Sequence, residues 1–152
     1  MLTRRQWLGA ALGGAAAALA TGAVPALAAA PIAITVYKDP SCGCCTKWVE
    51  HMRAHGFRVT TRDTTDLDQV KETFGVPREL QSCHTGTVGA YVVEGHVPAD
   101  LVKKMVAERP RIAGLAVPGM PVGAPGMEGG APQPYAVIAY TREGGTSVYA
   151  RR

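Results

Sequence analysis

The sequence predicts an α/β domain built on a mixed β-sheet. Two observations predict it: β-branched runs alternate with segments of helical period in the order βαβα and then ββα, and the chain closes on two further β-branched runs after a Gly/Pro-rich tract. The chain has 152 residues, but its opening, "MLTRRQWLGAALGGAAAALATGAVPALAAA", reads as an export signal and not as part of the fold: a basic start, a mild apolar run and a small-residue end. Arg4-Arg5 ahead of that run point to the twin-arginine type; an ordinary secretory signal with two chance charges is the alternative. The run is mostly Ala and Gly, too mild for an anchor, which needs roughly 20 strongly apolar residues. Cleavage is expected near Ala28 or Ala30. Residues 31–113 are then expected to form the domain, and residues 114–152 a C-terminal extension packed on it. Without residues 1–30 the chain keeps fourteen basic and twelve acidic residues. No Lys/Arg cluster stands out among them, which argues against nucleic acid as a partner.

The elements follow in order. "IAITVYKD" (32–39) is a buried strand stopped by Pro40 and Ser41. From Cys45, "CTKWVEHMRAHG" places Trp48, Val49 and Met52 on one helical face and stops at Gly56. "FRVTTRD" (57–63) alternates as a second strand. "TTDLDQVKETFG" (64–75) is a helix with Leu67, Val70 and Phe74 inward and Thr64 or Thr65 as N-cap. "TVGAYVVEG" (87–95) is a third strand and "HVP" (96–98) a short fourth, turning at Glu94-Gly95. "PADLVKKMVAERP" (98–110) is a third helix between two prolines. This is the thioredoxin-like arrangement, with helices on both faces of the sheet. Gly and Pro recur so densely through 114–134 that no regular element is expected there. The tract nevertheless carries Pro-Gly-Met twice, at 118–120 and 125–127. "YAVIAY" and "TSVYA" form a terminal hairpin.

Three of the four cysteines lie in "SCGCC". Cys42 and Cys45 are expected at a helix N-terminus, where unpaired N–H groups favour thiolate. Cys83 precedes the third strand, and in this fold that connection passes beside the first helix, so four thiols are expected to converge. Four thiolates suit Cu(I), Zn(II) or an iron–sulfur centre. Adjacent Cys44 and Cys45 crowd two sulfurs together, which suits bridging between several ions better than one tetrahedral zinc. Cu(I) accepts bridging thiolate and also thioether, so Met120 and Met127 are candidate ligands, with loop packing as the equal alternative. His84 could ligate metal or hydrogen-bond a thiolate, with surface or turn capping as the alternative, and His96 is the weaker metal candidate. His51 and His55 are expected on a solvated helix face, and Trp48 and Phe57 in the core.

Together "YKDPSCGCC", "SCHT", "VEGHVP" and "GLAVPGMPVGAPGME" resemble the CopG-like periplasmic copper-resistance proteins, a family long catalogued as a domain of unknown function. The resemblance implies a thioredoxin-like domain whose C-terminal extension helps to bind metal. It implies copper held by Cys42, Cys44, Cys45 and Cys83, with Met120 and Met127 added from the extension, and a role in copper redox handling. Ala124 stands where relatives are expected to carry Ser, a change that touches no candidate ligand.

The leading function is therefore a periplasmic copper-binding protein of copper resistance that holds Cu(I) in a multinuclear thiolate site and interconverts Cu(I) and Cu(II). Its expected partners are copper ions and an efflux or electron-transfer protein, with the chain itself a monomer. A periplasmic thiol–disulfide oxidoreductase using Cys42 and Cys45 is one alternative. It leaves Cys44 and Cys83 without a task. An iron–sulfur electron-transfer protein is the other, and it leaves the two methionines without one.

Overall fold

The computed structural model describes residues 29–152. The export signal expected over 1–30 falls almost wholly outside the described residues. Among the described residues seven strands and three α-helices follow in the order β1 (Ile32–Lys38), α1 (Gly43–Ala54), β2 (Phe57–Asp63), α2 (Leu67–Thr73), β3 (His84–Val88), β4 (Tyr91–Glu94), α3 (Ala99–Glu108), β5 (Gly114–Ala116), β6 (Ala136–Tyr140) and β7 (Thr146–Arg151). They build one sheet in the order β2-β1-β3-β4-β5-β6-β7. β1 pairs parallel with β2 and antiparallel with β3, and β3 pairs antiparallel with β4, which gives the thioredoxin-like core. Residues 114–151 extend that sheet: β5 lies parallel to β4, and β6 and β7 follow antiparallel. No helix among the described residues is long and apolar enough to cross a membrane.

Successive strand residues point to opposite faces, and the two hydrophobic clusters divide accordingly. Val93, Leu115 and Ala139 join Ile34 and Val36 on one face, under Trp48, Val49 and Met52 of α1 and Leu101, Val102 and Met105 of α3. Their neighbours Val92, Ala116 and Tyr140 join Val76 and Leu80 on the other, with Phe74 packed against them.

Four expectations about the first helix and the strands are corrected by the structure. The first helix begins at Gly43, not Cys45, so Cys44 and Cys45 both lie in its first turn. Residues 87–95 are not one strand, because the chain reverses at Gly89-Ala90, with Gly89 at φ +56°. Residues 96–98 consequently form no strand, and His84 becomes the first residue of β3. β5 forms inside the Gly/Pro-rich tract. Gly114 permits it: a Cβ there would sit 2.1 Å from the Val92 carbonyl oxygen, so only glycine lets β5 approach β4 this closely.

α2 is shorter than expected and is capped by Asp66, whose carboxylate accepts from the Gln69 N–H at 3.2 Å. Leu67, Val70 and Phe74 are only half-buried, and the buried residue of this helix is Lys71. Its ammonium donates to Glu94 at 2.6 Å and to Thr85 Oγ1 at 3.1 Å. Glu94 also accepts from the Ser82 N–H at 2.7 Å and from the Thr85 hydroxyl at 2.7 Å. Thr85 and Glu94 are direct partners across the β3–β4 ladder. The ion pair thus holds the residues on both sides of Cys83-His84.

Candidate metal centre

The turn after β1 places the first three cysteines. Asp39 accepts from the Ser41 N–H at 2.8 Å through its side chain and from the Cys42 N–H at 3.1 Å through its carbonyl, so Pro40-Ser41 swings the chain into α1. Cys42 is the N-cap, its sulfur accepting from the Cys45 N–H at 3.3 Å. Cys42 and Cys45 form a disulfide, and Cys44 and Cys83 are free. Cys44 Sγ lies 3.5 Å from Cys42 Sγ and 3.9 Å from Cys83 Sγ. All four sulfurs fall within 4.8 Å of one another. The thirty-eight-residue separation between Cys45 and Cys83 is bridged because β1 lies beside β3, pairing Lys38 with His84.

Sequence reasoning gave the two buried histidines too little weight. His84 and His96 are both fully buried, and both face Cys83. His84 Nδ1 is 3.3 Å and His96 Nε2 3.0 Å from Cys83 Sγ. The His96 Nδ1–H donates to the Pro125 carbonyl at 2.7 Å, so in the neutral ring the Nε2 lone pair faces the sulfur. Burial holds both imidazoles below their ordinary pKa, His84 well below, with the neighbouring His96 adding to the effect on His84. The Cys83 thiol is pushed up to about 12, mainly by burial and then by Cys44. Without a metal it stays protonated at neutral pH, and a bound ion would have to displace that proton.

The Gly/Pro-rich tract folds back over this cluster. Ala124 to Met127 form a turn closed by the Met127 N–H on the Ala124 carbonyl at 2.8 Å, with Pro125 second and Gly126 (φ +87°) third, as a type II turn requires. Gly126 rests on the first turn of α1, where a Cβ would sit 2.8 Å from the Cys44 carbonyl oxygen and 2.9 Å from the Trp48 nitrogen. The first Pro-Gly-Met is held by the Ser82 hydroxyl donating to the Gly119 carbonyl. Met127 is half-buried, whereas Met120 is 54% exposed.

Trp48 is core, its indole N–H donating to the Val97 carbonyl at 2.9 Å and its ring 4.5 Å from that of His84. Phe57 is core as well. His51 departs from the solvated placement expected of it: half-buried, it accepts from the Ala99 N–H at 3.2 Å and so caps α3. His55 is exposed and lies against His51.

The donors gathered here are four sulfurs and two imidazole nitrogens, a set with the softness of a copper or zinc site. The family described as "Protein of unknown function, DUF411" matches residues 80–127, the span from the Cys83 segment through the second Pro-Gly-Met. A search of curated proteins gives no match. Two solved structures of copper resistance protein CopG, form 2 and form 1, are each 48% identical to this chain and superpose with TM-scores of 0.77 and 0.76. Each comparison covers 80% of this chain and 98% of the other. The chain therefore belongs to the CopG-like copper-resistance family.

Proposed function

We infer that the chain is a periplasmic copper-binding protein of copper resistance, holding Cu(I) between Cys42, Cys44, Cys45 and Cys83 and interconverting Cu(I) and Cu(II). One observation carries the reading: four sulfurs from two segments far apart in sequence lie within 4.8 Å of one another. Thiolates that close select soft ions, and adjacent Cys44 and Cys45 favour sulfurs shared between several ions. Met120 and Met127 are the thioether ligands of this reading, carried by a tract already anchored to Ser82 and His96. Bound copper would supply the one-electron couple. The chain supplies the soft ligands, the neutral imidazoles around Cys83 and the cover over the cluster.

The Cys42–Cys45 disulfide withdraws two of the four sulfurs, so the thiolate site operates after reduction of that bond. The same disulfide, at the start of α1, favours a second reading as a thiol–disulfide oxidoreductase. That reading leaves Cys44, Cys83 and the two buried histidines unused. An exported protein, as the first thirty residues suggest, would meet an oxidising compartment where both states arise.

Replacing Cys44 separates the two readings. In an anaerobic titration of the reduced chain, Cys44→Ser is expected to bind fewer Cu(I) ions than the parent while keeping its circular dichroism. Full stoichiometry and affinity in that variant would place Cys44 outside the site and leave the oxidoreductase reading standing.

A further inference from the structure

Closing the Cys42–Cys45 disulfide disables the four-sulfur set but leaves another set of donors untouched. Cys83 Sγ, His84 Nδ1 and His96 Nε2 also lie within 4.8 Å of one another, and none of them takes part in the disulfide. We propose that these three residues form a second metal site that takes a divalent ion of borderline softness, Cu(II) or Zn(II), while Cys42 and Cys45 are oxidised. The proposal shares Cys83 with the thiolate site but does not depend on copper binding there.

The distances are close to what such an ion needs. With bonds of about 2.3 Å to sulfur and 2.0–2.1 Å to nitrogen, tetrahedral ligand atoms stand about 3.5 Å apart. The two sulfur–nitrogen separations are 3.0 and 3.3 Å, so the thiol has only to move slightly outward. Cys83 can do so, because it is half-buried and precedes β3 instead of lying within it.

The imidazoles are already set for the task. The bond from His96 Nδ1–H to the Pro125 carbonyl is the outer contact that a metal-bound histidine generally makes, and it fixes Nε2 as the ligating atom. His84 Nδ1 meets only the Cys83 sulfur, so it has no other hydrogen-bond partner to give up on binding an ion. The ring planes of His84 and His96 stand at 82° with centroids 5.0 Å apart, and Trp48 packs against His84, so neither ring turns freely. The fourth position is left to water, and Cys44, whose sulfur is 3.9 Å from that of Cys83, stays outside this set.

Two nitrogens and one thiolate make a harder set than four thiolates, and imidazole suits Cu(II) and Zn(II). The oxidation state of one disulfide would then decide which ion the chain prefers: Cu(I) with four thiols reduced, a divalent ion with the disulfide closed. Cys83 belongs to both sets, so the two sites share one ligand and cannot both be filled through it independently.

Co(II), which thiols do not reduce, is the probe. The disulfide form is expected to bind one Co(II) per chain, with the visible bands of a four-coordinate ion and a thiolate-to-metal charge-transfer band, both displaced by Zn(II). Cys44→Ser should keep these bands. Cys83→Ser should lose the charge-transfer band, and His96→Ala should lose binding. Circular dichroism and melting of each variant guard against misfolding, and Cys83→Ser, a near-isosteric change at a half-buried position, is the deciding variant if His96→Ala does not fold. A disulfide form that takes up no Co(II), or a charge-transfer band that survives Cys83→Ser, overturns the proposal. Cu(I) uptake by the reduced chain is measured separately. Its loss with Co(II) binding intact would sink the proposed function alone, and the reverse result would sink this inference alone.

Discussion

Glu94→Ala is expected to cost about 3–5 kcal/mol, the usual penalty for leaving one member of a buried ion pair without its partner. Lys71 is 4% exposed and Glu94 fully buried, so the stranded ammonium has no route to water without moving α2 off the sheet. Against a net stability that is typically about 5–15 kcal/mol, a loss of this size brings the domain close to unfolding at ambient temperature. The Ser82 N–H and the Thr85 hydroxyl lose their acceptor in the same step. Because those residues flank Cys83-His84, the alkylation rate of Cys83 in the metal-free protein should rise as well. Replacing both charges, Lys71→Met with Glu94→Leu, should recover most of the stability, since a buried pair is seldom better than an apolar pair of the same volume. Urea unfolding of the single and double variants checks this. Equal losses in both would mean that packing at Glu94, and not the stranded charge, sets the cost.

Gly126→Ala is the second large effect. The positive φ at this position costs a non-glycine residue about 1–2 kcal/mol, and overpacking against α1 typically adds about 1–3 kcal/mol. The new methyl would press on the Cys44 carbonyl, the Trp48 nitrogen and His96 Nδ1. None of these is the free end of a flexible side chain. The turn must therefore lift, and the His96–Pro125 bond lengthens or breaks with it. Expected results are a lower melting temperature and faster amide exchange across residues 118–127. Exchange in β6 and β7 should not change. Unaltered exchange across the turn would show that Gly126 does not hold it on the cysteine cluster.

The parts of the fold that were legible in the sequence are those where local pattern and tertiary demand agree. β2 falls where alternation predicts it, and the face of α1 carrying Trp48, Val49 and Met52 is buried as its period requires. The terminal hairpin also forms where its β-branched runs lie. β5 was illegible because its existence depends on β4 and β6, which clasp Gly114, Leu115 and Ala116 whatever their own propensity. His84 was undervalued for a related reason. A strand started at Thr87 leaves it in a loop, whereas a strand started at His84 puts it, by period two, on the same buried face as Val88. Lys71 sits four residues after Leu67 and three before Phe74, so the inward stripe ran through it; its buried partner, Glu94, lay too far along the chain to be paired with it by pattern alone.

The candidate site divides in the same way. Convergence of Cys83 on the first three cysteines follows from topology once β1 lies beside β3. Approach of the second Pro-Gly-Met does not, because it depends on a glycine seated against a helix end and on one histidine bond, and neither has a sequence period.

If four thiols hold copper together, bound copper must shield all four from alkylation at once. The chain is reduced under anaerobic conditions, loaded with Cu(I), alkylated briefly, and mapped cysteine by cysteine by mass spectrometry. Cys42, Cys44, Cys45 and Cys83 are expected to be shielded together, and all four to become reactive when a strong Cu(I) chelator removes the metal. Cys83 modified as fast in the loaded chain as in the empty one would contradict it.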